Sequence, residues 1–192
     1  MRYPPTHKEN AHLKILQAAS RGFRQRGYNG IGVDDLAQEA SVTSGAFYKH
    51  FSSKAEAFRE AAVAGLVNLR QNIERLQAAD GKVWLVKFAD FYMSEKRTCD
   101  LKESCPLQTL TPEVARADDA TKTAYEHELL LLVEAIVAGL PRGSLSMRRK
   151  TAWSVLSLLS GGVSLARAAI NPKVGEQIAQ ATVAAIITLG GS

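Results

Sequence analysis

Apolar residues recur along this chain at the spacing of an α-helix, and no stretch shows the alternation of apolar and polar residues that is typical of a half-buried strand. The first predicted helix ends near Gly27, since glycine commonly follows the last turn of a helix. The pattern therefore predicts an all-α protein of about nine helices. One face of the first helix carries Leu13, Leu16, Ser20 and Phe23.

Two short helices separated by a tight turn follow the first one. Val33, Leu36 and Ala40 stand at i, i+3 and i+7, which predicts an amphipathic helix of two turns. Thr43 is placed to cap a second short helix over residues 44–50, which begins with small residues. In a helix-turn-helix, the first such helix holds the second, whose N-terminal end enters the major groove of DNA. The pattern thus predicts a DNA-binding helix-turn-helix.

The remainder of the chain predicts longer helices with proline or glycine near their ends. Ser53 and Glu56 have the spacing of a capping box, so a long helix is expected to begin there. Pro106 suits the first turn of a short helix, and Pro112 suits the first turn of a long one. We expect the later helices at roughly 53–76, 82–96, 113–140, 147–169 and 173–189, with Asn171 as the cap and Pro172 as the first residue of the last helix.

Composition adds a mild basic excess. The chain has 192 residues and a formal net charge of +5. Residues 1–60 hold nine Lys or Arg against six Asp or Glu, so more than half of the excess lies in the predicted DNA-binding segment and its flank. Such an excess permits an anionic partner but does not prove one.

Motifs of catalysis, cofactor binding and membrane insertion are missing from the sequence. There is no Gly-x-Ser-x-Gly motif and no phosphate-binding loop, so neither enzyme activity nor a cofactor is predicted. Cys99 and Cys105 form no Cys-x-x-Cys pair, and no histidine pair accompanies them, so no metal site is expected. Residues 1–5 hold no apolar signal region, and the uncharged stretch 151–166 is shorter than the roughly 20 residues of a membrane span. We therefore expect a cytoplasmic protein that does not enter a membrane.

The N-terminal segment contains a tyrosine-x-histidine-phenylalanine element, followed closely by a lysine, within a run of matching blocks. The blocks are residues 15–19, Phe23, 27–28, 33–37, 45–51 and Lys54. Together they cover about 45 residues and resemble the DNA-binding domain of the TetR family. Beyond about residue 60 the resemblance rests only on the number and length of the helices.

The resemblance implies a ligand-responsive transcriptional regulator. It implies a helix-turn-helix domain over residues 1–52 and an effector-binding and dimerisation domain over residues 53–192. The family implies a homodimer that binds a palindromic DNA operator and is released by a small-molecule effector. Repression is the expected output, because obstructing a promoter needs no further contacts. The residues that the resemblance places on DNA are Thr43, Ser44, Gly45, Tyr48, Lys49, His50 and Lys54.

Two residues depart from the usual family pattern. Ser41 stands where glycine is usual, and it costs on the order of 1 kcal/mol if its backbone is left-handed. Gly32 stands where Ser or Thr often caps the first short helix, and glycine offers no hydroxyl to a phosphate. Alternatives to DNA contact also stay open for two side chains. His50 can be packed and hydrogen-bonded instead, and Lys54 can be merely solvated.

The C-terminal segment contains an aromatic stripe that consists of Trp84, Phe88, Phe91 and Tyr92. This stripe fits a role in the core, and it also fits a role in the wall of a largely apolar effector pocket. The Glu126-His127-Glu128 triplet has no second ligand at i+4, so a solvated or pocket-polar role is expected instead of metal binding. The candidate effector residues are Trp84, Phe88, Phe91, Tyr92, Cys105, Leu107, Tyr125, Leu129, Leu132 and Trp153.

Cys105 supports a second hypothesis about sensing. It precedes Pro106, so it is expected at a helix N-terminus, where the pKa of a thiol falls. Residues 103–107 resemble a segment of one TetR subgroup, some of whose members sense electrophiles or oxidants. Cys99 is then a candidate resolving thiol. The alternative is a small buried residue that shapes the pocket.

The last two predicted helices are the candidates for dimerisation. They are expected to pack against their symmetry mates as a four-helix bundle, because small residues allow close approach. Effector binding is expected to shift the helix that begins at Ser53 and so to change the separation of the two DNA-reading heads. Apolar area is expected from Leu156, Leu159, Ile178, Ile186 and Leu189.

Overall fold

The structure is a computed structural model that describes residues 7–190. Within that range the chain is α-helical and has no strand, which confirms the predicted fold class. None of the helices in the described range combines the length and apolar composition that crossing a bilayer requires. The expectation drawn from residues 1–5 lies outside the described residues. The helices are α1 (His7–Arg26), α2 (Val33–Glu39), α3 (Ser44–Tyr48), α4 (Lys54–Asp80), α5 (Trp84–Phe91), α6 (Pro106–Val114), α7 (Asp119–Gly139), α8 (Leu145–Ala168) and α9 (Pro172–Gly190), with 3₁₀ turns at Gly81–Val83 and Leu101–Glu103 and a π-helix at Tyr92–Lys96.

The described residues form two compact units that do not follow chain order. The first contains residues 7–65 and 101–125, and the second contains residues 66–100 and 126–190. Helices α4 and α7 therefore contribute residues to both units. The predicted boundary between residues 52 and 53 divides the DNA-binding segment from the effector-binding and dimerisation segment. That division by function stays a prediction.

The core of the first unit is built by α1, α2, α3 and the start of α4. Burial of apolar side chains drives this packing, at roughly 25 cal/mol per Å² of apolar surface removed from water. Helix α1 ends where the sequence predicts, because Gly27 adopts a φ of 72° and its backbone N–H donates to the carbonyl of Phe23. The buried side chains that hold these four helices include Ile15, Phe23, Leu36, Phe47, Phe51 and Phe58.

The turn between α2 and α3 has a left-handed residue at Ser41, with a φ of 57°. The N–H of Val42 donates to the carbonyl of Ala37, and the N–H of Ser41 donates to that of Gln38. These two bonds form a Schellman motif, in which the left-handed position is usually glycine. Ser41 therefore has the left-handed backbone in which serine is less favourable than glycine.

The prediction for Pro112 is wrong. It lies inside α6 instead of opening the long helix. The long helix α7 begins later, where the carboxylate of Asp118 accepts a hydrogen bond of 2.7 Å from the N–H of Thr121. An Asp that caps three residues ahead is a stronger start signal than an isolated proline. Other bounds differ as well: α3 ends at Tyr48 and not at residue 50, α4 continues to Asp80, and α8 begins at Leu145 and not at residue 147.

A close contact within the first unit joins α4 to α6. Gly65 faces Pro106, and a Cβ at position 65 lies 2.5 Å from Pro106 Cγ. That distance is far below van der Waals contact, so only glycine fits there. Pro106 is the first residue of α6, as the sequence predicts.

In the second unit, α4, α5 and α7 share buried polar contacts. The indole N–H of Trp84 donates to the carbonyl of Gly139 over 2.9 Å. Arg70 on α4 donates to Glu128 on α7 over 2.7 Å, and Glu128 is buried. The carboxylate of Glu128 is therefore paired with a cation and not solvated, as a buried charge requires.

Candidate nucleic-acid interface

The start of α3 is fixed by two hydroxyl groups. Thr43 is the N-cap, because its Oγ1 accepts a hydrogen bond of 3.1 Å from the N–H of Ala46. The hydroxyl of Ser44 donates to the carboxylate of Asp34 in the first turn of α2. The two short helices are therefore joined at their starts as well as through the turn. Both hydroxyls retain lone pairs that accept further hydrogen bonds.

Helix α3 separates inward aromatic residues from outward polar ones. Phe47 is fully buried and Phe51 nearly so, and their rings lie 5.3 Å apart. Tyr48 is 53% exposed, and Lys49 is exposed beside it. Gly45 is exposed at the start of the helix, where it leaves room for a close approach. The outer side of α3 thus offers hydrogen-bond donors on a rigid apolar support.

Lys54 lies at the beginning of α4 and contacts Tyr28. Its ammonium nitrogen is 4.4 Å from the centre of the Tyr28 ring, which is a cation–π geometry. The ring of Tyr28 packs edge-on against Phe58, with centroids 5.1 Å apart. Lys54 is therefore a positioned cation and not merely a solvated one.

The cap of α4 differs from the predicted capping box by one residue. Ser53 Oγ accepts a hydrogen bond of 3.1 Å from the N–H of Glu56, as predicted. The Glu56 carboxylate, however, accepts from the N–H and the hydroxyl of Ser52 at 2.5 and 2.6 Å. The hydrogen bonds from Ser52 lower the pKa of Glu56, and Arg59 and His12 add to that effect. The carboxylate of Glu56 thus accepts a hydrogen bond from the backbone N–H of Ser52, which lies just before α4.

His50 is half-buried at the end of the α3 segment. Its ring centroid lies 5.9 Å from that of His12 on α1. Burial lowers the pKa of His50, and the positive charges of His12 and Lys8 lower it further. The packed and DNA-facing interpretations of His50 are therefore compatible, because the ring packs on one side and reaches solvent on the other.

The predicted effector residues are distributed over both compact units. In the second unit, Trp84, Phe88 and Tyr92 are buried, and successive ring centroids are 6.2 and 5.6 Å apart. Phe91 is 46% exposed, so it does not share the buried face of that stripe. Leu132 in the second unit is buried and Leu129 half-buried, whereas Cys105, Leu107 and Tyr125 are buried in the first unit.

Trp153 is 41% exposed and lines an open groove between α8 and α9. The groove has a volume of about 780 Å³. Three residues predicted to supply dimer surface, Leu156, Leu159 and Ile186, are instead buried within the chain, so they cannot offer that area. The lining of the groove consists of Trp153, Ser154, Ser157, Leu158, Ala185, Thr188 and Leu189.

Cys105 is the N-cap residue of α6, as the sequence predicts, and it is 7% exposed. Nearby, the hydroxyl of Tyr125 forms a hydrogen bond with Thr111. Burial raises the pKa of Tyr125 to about 12, and Cys105 adds to the effect while the Thr111 hydrogen bond opposes it. Cys99 belongs to the second unit, where its Sγ lies 3.3 Å from Nη2 of Arg167.

The sequence analysis did not predict the contact between His12 on α1 and Glu60 on α4. His12 Nε2 lies 2.9 Å from a carboxylate oxygen of Glu60, and the His12 ring stacks 4.7 Å from that of Phe51. The pair is separated by 48 positions in the chain, so no local spacing reveals it. Both helices carry many other polar residues, so neither His12 nor Glu60 stands out in the sequence.

Comparison with known proteins gives one family match. Residues 15–61 match the family model of bacterial regulatory proteins of the tetR family. The HTH-type transcriptional activator FasR of Mycolicibacterium smegmatis is 44% identical over 45 residues, which are 23% of this chain and 20% of that protein. The HTH-type transcriptional regulator TtgR of Pseudomonas putida is 42% identical over 48 residues, which are 25% of this chain and 23% of that protein. The chain thus matches about a quarter of the length of these curated relatives, and the matches lie in the short N-terminal part.

Solved structures extend the likeness to the whole fold. A TetR-family transcriptional regulator from Cytophaga hutchinsonii superposes with a TM-score of 0.77 at 18% identity, over 97% of this chain and 98% of that one. The reduced form of NemR from E. coli superposes with a TM-score of 0.73 at 16% identity, over 94% and 97% of the two chains. At such low identity the superpositions show a shared fold.

Proposed function

This chain belongs to the TetR family by its N-terminal domain and by its fold, and from that premise we propose that it regulates transcription by binding DNA. The observation that supports this function best is the two-sided character of α3. Phe47 is buried on its inner side, while Tyr48 on its outer side and Lys49 directly after its end are exposed. A short helix held this way presents donors to base edges in the major groove.

Each of the seven sequence-predicted residues has a role in the proposed interface. Tyr48 and Lys49 are exposed and can reach base edges, and Gly45 permits close approach of the backbone. Lys54 binds a phosphate through its charge, which positions the protein without reading sequence. Thr43, Ser44 and His50 contribute hydroxyl and imidazole groups at the margins of α3.

A homodimer on a palindromic operator follows from the proposal. One α3 reads one half-site, so two-fold symmetry in the protein requires two-fold symmetry in the DNA. The outward faces of α8 and α9 are the proposed contact surface, since they expose apolar residues that a second copy can cover. Those residues are Trp153, Leu165, Val174 and Leu189.

The proposed effector is a small, largely apolar molecule that binds among the buried residues of the C-terminal helices. A ligand changes DNA affinity only if it binds one conformation better than the other. Helices α4 and α7 both contribute residues to the two compact units. Helix α4 directly follows the helix-turn-helix in the chain, so we propose that such a preference reaches the helix-turn-helix through α4. Repression relieved by the effector is the proposed output.

Thiol sensing by Cys105 is the second candidate function. The observation that favours it is the placement of Cys105 at the N-cap of α6, where helix amides and the helix dipole stabilise a thiolate. Its burial argues against it, because a reagent needs access to the sulfur. The non-covalent effector is therefore the first proposal, and thiol sensing by Cys105 is the second.

Selection of DNA from a random duplex pool tests the main proposal. The purified protein is expected to enrich an inverted repeat, and its affinity for that repeat should fall steeply with salt as counterions are released. Recovery of no sequence above the starting pool would contradict the proposal. A variant with Tyr48→Ala and Lys49→Ala serves as the control, and it should enrich a different motif or none.

A further inference from the structure

His12 connects three elements of the first unit and has no role in the function proposed so far. It lies on α1, and its Nε2 is 2.9 Å from a carboxylate oxygen of Glu60 on α4. Its ring is 4.7 Å from the Phe51 ring, at an interplanar angle of 33°, and 5.9 Å from the His50 ring. Phe51 is buried, so the His12 ring covers the end of the core just behind His50.

Glu60 determines how the His12 ring is held. A carboxylate accepts hydrogen bonds only, so Nε2 of His12 must carry the proton and donate it. That bond fixes both the tautomer and the orientation of the ring. His12 is thus a fixed ring that is hydrogen-bonded to Glu60 on the α4 side and lies beside the His50 ring.

We propose that His12 is a positioning residue for DNA binding: held by Glu60, it packs against Phe51 and supports the His50 imidazole, whose ring centre lies 5.9 Å away. This inference rests on the proposed DNA-binding function. His12 itself does not touch DNA in this role. It acts through His50, which the same contacts place at the margin of α3.

The charges around His50 determine the direction of the effect. Burial lowers the pKa of His50 in the free protein, and the positive charges of His12 and Lys8 on α1 lower it further. From α4, Glu60 pairs with His12, while the Glu56 carboxylate is bound by Ser52.

DNA phosphates act in the opposite direction, because a negative charge favours protonated His50. By linkage, DNA affinity should therefore rise as pH falls, and it should level off once His50 is protonated in the free protein too. Removing His12 removes a repelling charge, so the whole rise should move to higher pH.

Two substitutions separate packing from charge. His12→Phe keeps an aromatic ring against Phe51 but carries no charge, whereas His12→Gln loses both. A unit charge 5.9 Å away in a water-like medium changes proton affinity about threefold. Both variants should show that change for His50, and only His12→Gln should also lose affinity at high pH. His127→Gln is the matched control, since His127 is exposed in the second unit.

The experiment has two measurements. NMR titration of the imidazole protons between about pH 5 and 8 follows His50 in the free protein, without DNA. Fluorescence anisotropy over the same range follows binding to the duplex enriched by the wild type. The inference is supported if His50 titrates at higher pH in both His12 variants and if their DNA-binding profiles move with it, while His127→Gln matches the wild type.

The two proposals fail in different ways. If His50 titrates identically in the wild type and both His12 variants, or if the DNA profiles do not move with it, the role of His12 is overturned while DNA binding stands. If the wild type enriches no duplex, the DNA-binding function itself is overturned, and the role of His12 with it.

Discussion

The ammonium nitrogen of Lys54 lies 4.4 Å above the centre of the Tyr28 ring. Tyr28 follows the end of α1, and Lys54 is the first residue of α4. The contact therefore holds a cation at the junction of two helices. An ordered cation loses less side-chain entropy on binding a phosphate than a free lysine does.

Replacing Tyr28 should consequently weaken DNA binding without any change at Lys54. A cation–π contact at an exposed site contributes about 0.5–1 kcal/mol, or roughly two- to fivefold in affinity. We expect that loss for Tyr28→Leu, measured by anisotropy on the enriched duplex. Tyr28→Phe keeps the ring face and should bind like the wild type. Equal loss in both variants would show that the hydroxyl matters and not the ring.

Phosphate contacts and base contacts should respond differently to substitution. Lys54→Ala should weaken binding about equally on all duplexes and reduce the slope of log affinity against log salt by about one. The variant with Tyr48→Ala and Lys49→Ala should instead flatten the preference between the enriched duplex and a scrambled one. Lys122→Ala is the control, because Lys122 is exposed on α7 outside the predicted interface. A sequence-dependent effect of Lys54→Ala would contradict its assignment to a phosphate.

The left-handed turn residue offers a stability test. Ser41→Gly relieves strain at a φ of 57°, so it should stabilise the folded state by about 1 kcal/mol. For a chain of this size, that shift raises Tm by about 2–4 °C in a thermal unfolding scan. Ser41→Ala has the same backbone requirement as serine and should give no gain. A gain from alanine would locate the effect in the side chain.

The helix-turn-helix could be predicted because its signals are local. The i, i+3, i+7 spacing in α2 and the cap at Thr43 lie within a dozen residues of each other, and the structure has both. The contact between His12 and Glu60 could not be predicted, since it joins distant parts of the chain. The same holds for the ring of Tyr28 beneath Lys54.

The sequence analysis assigned the wrong face of α8 to the dimer contact, because Leu156 and Leu159 are buried within the chain. Ala152 and Gly162 are buried, whereas Ser157 and Gly161 are exposed, so small residues occur on both sides of this helix. Leucines on such a helix give no reliable sign of which side faces inward. Contacts with α9 determine which face of α8 is buried, and Leu159 lies on that buried face.

Substitution on that outward face should disrupt the proposed dimer. Trp153→Glu places a charge in the groove between α8 and α9, and burying it against a second copy is costly. We expect a monomer, or at least tenfold weaker association on the order of 1.4 kcal/mol, by analytical ultracentrifugation. Leu130→Glu is the matched control, because Leu130 is 49% exposed on α7 and Trp153 is 41% exposed. A wild-type monomer at micromolar concentration would sink the dimer proposal.

The two cysteines should differ in reactivity. Cys105 is 7% exposed and Cys99 is half-exposed, so a small alkylating reagent should label Cys99 first in the native protein. A quinone should then release DNA equally from the wild type and from Cys105→Ser. Release from the wild type alone would establish thiol sensing by Cys105, and Cys99→Ser would show whether a second sulfur takes part.

The contact between Gly65 and Pro106 restricts how this protein can diverge. Any side chain at position 65 collides with Pro106, and the nearest atom is the Cβ of that residue, which every amino acid except glycine carries. Replacing the proline therefore does not make room at position 65 while the backbones of α4 and α6 keep this distance. Related chains that keep this packing should retain glycine at position 65, whichever residue begins α6.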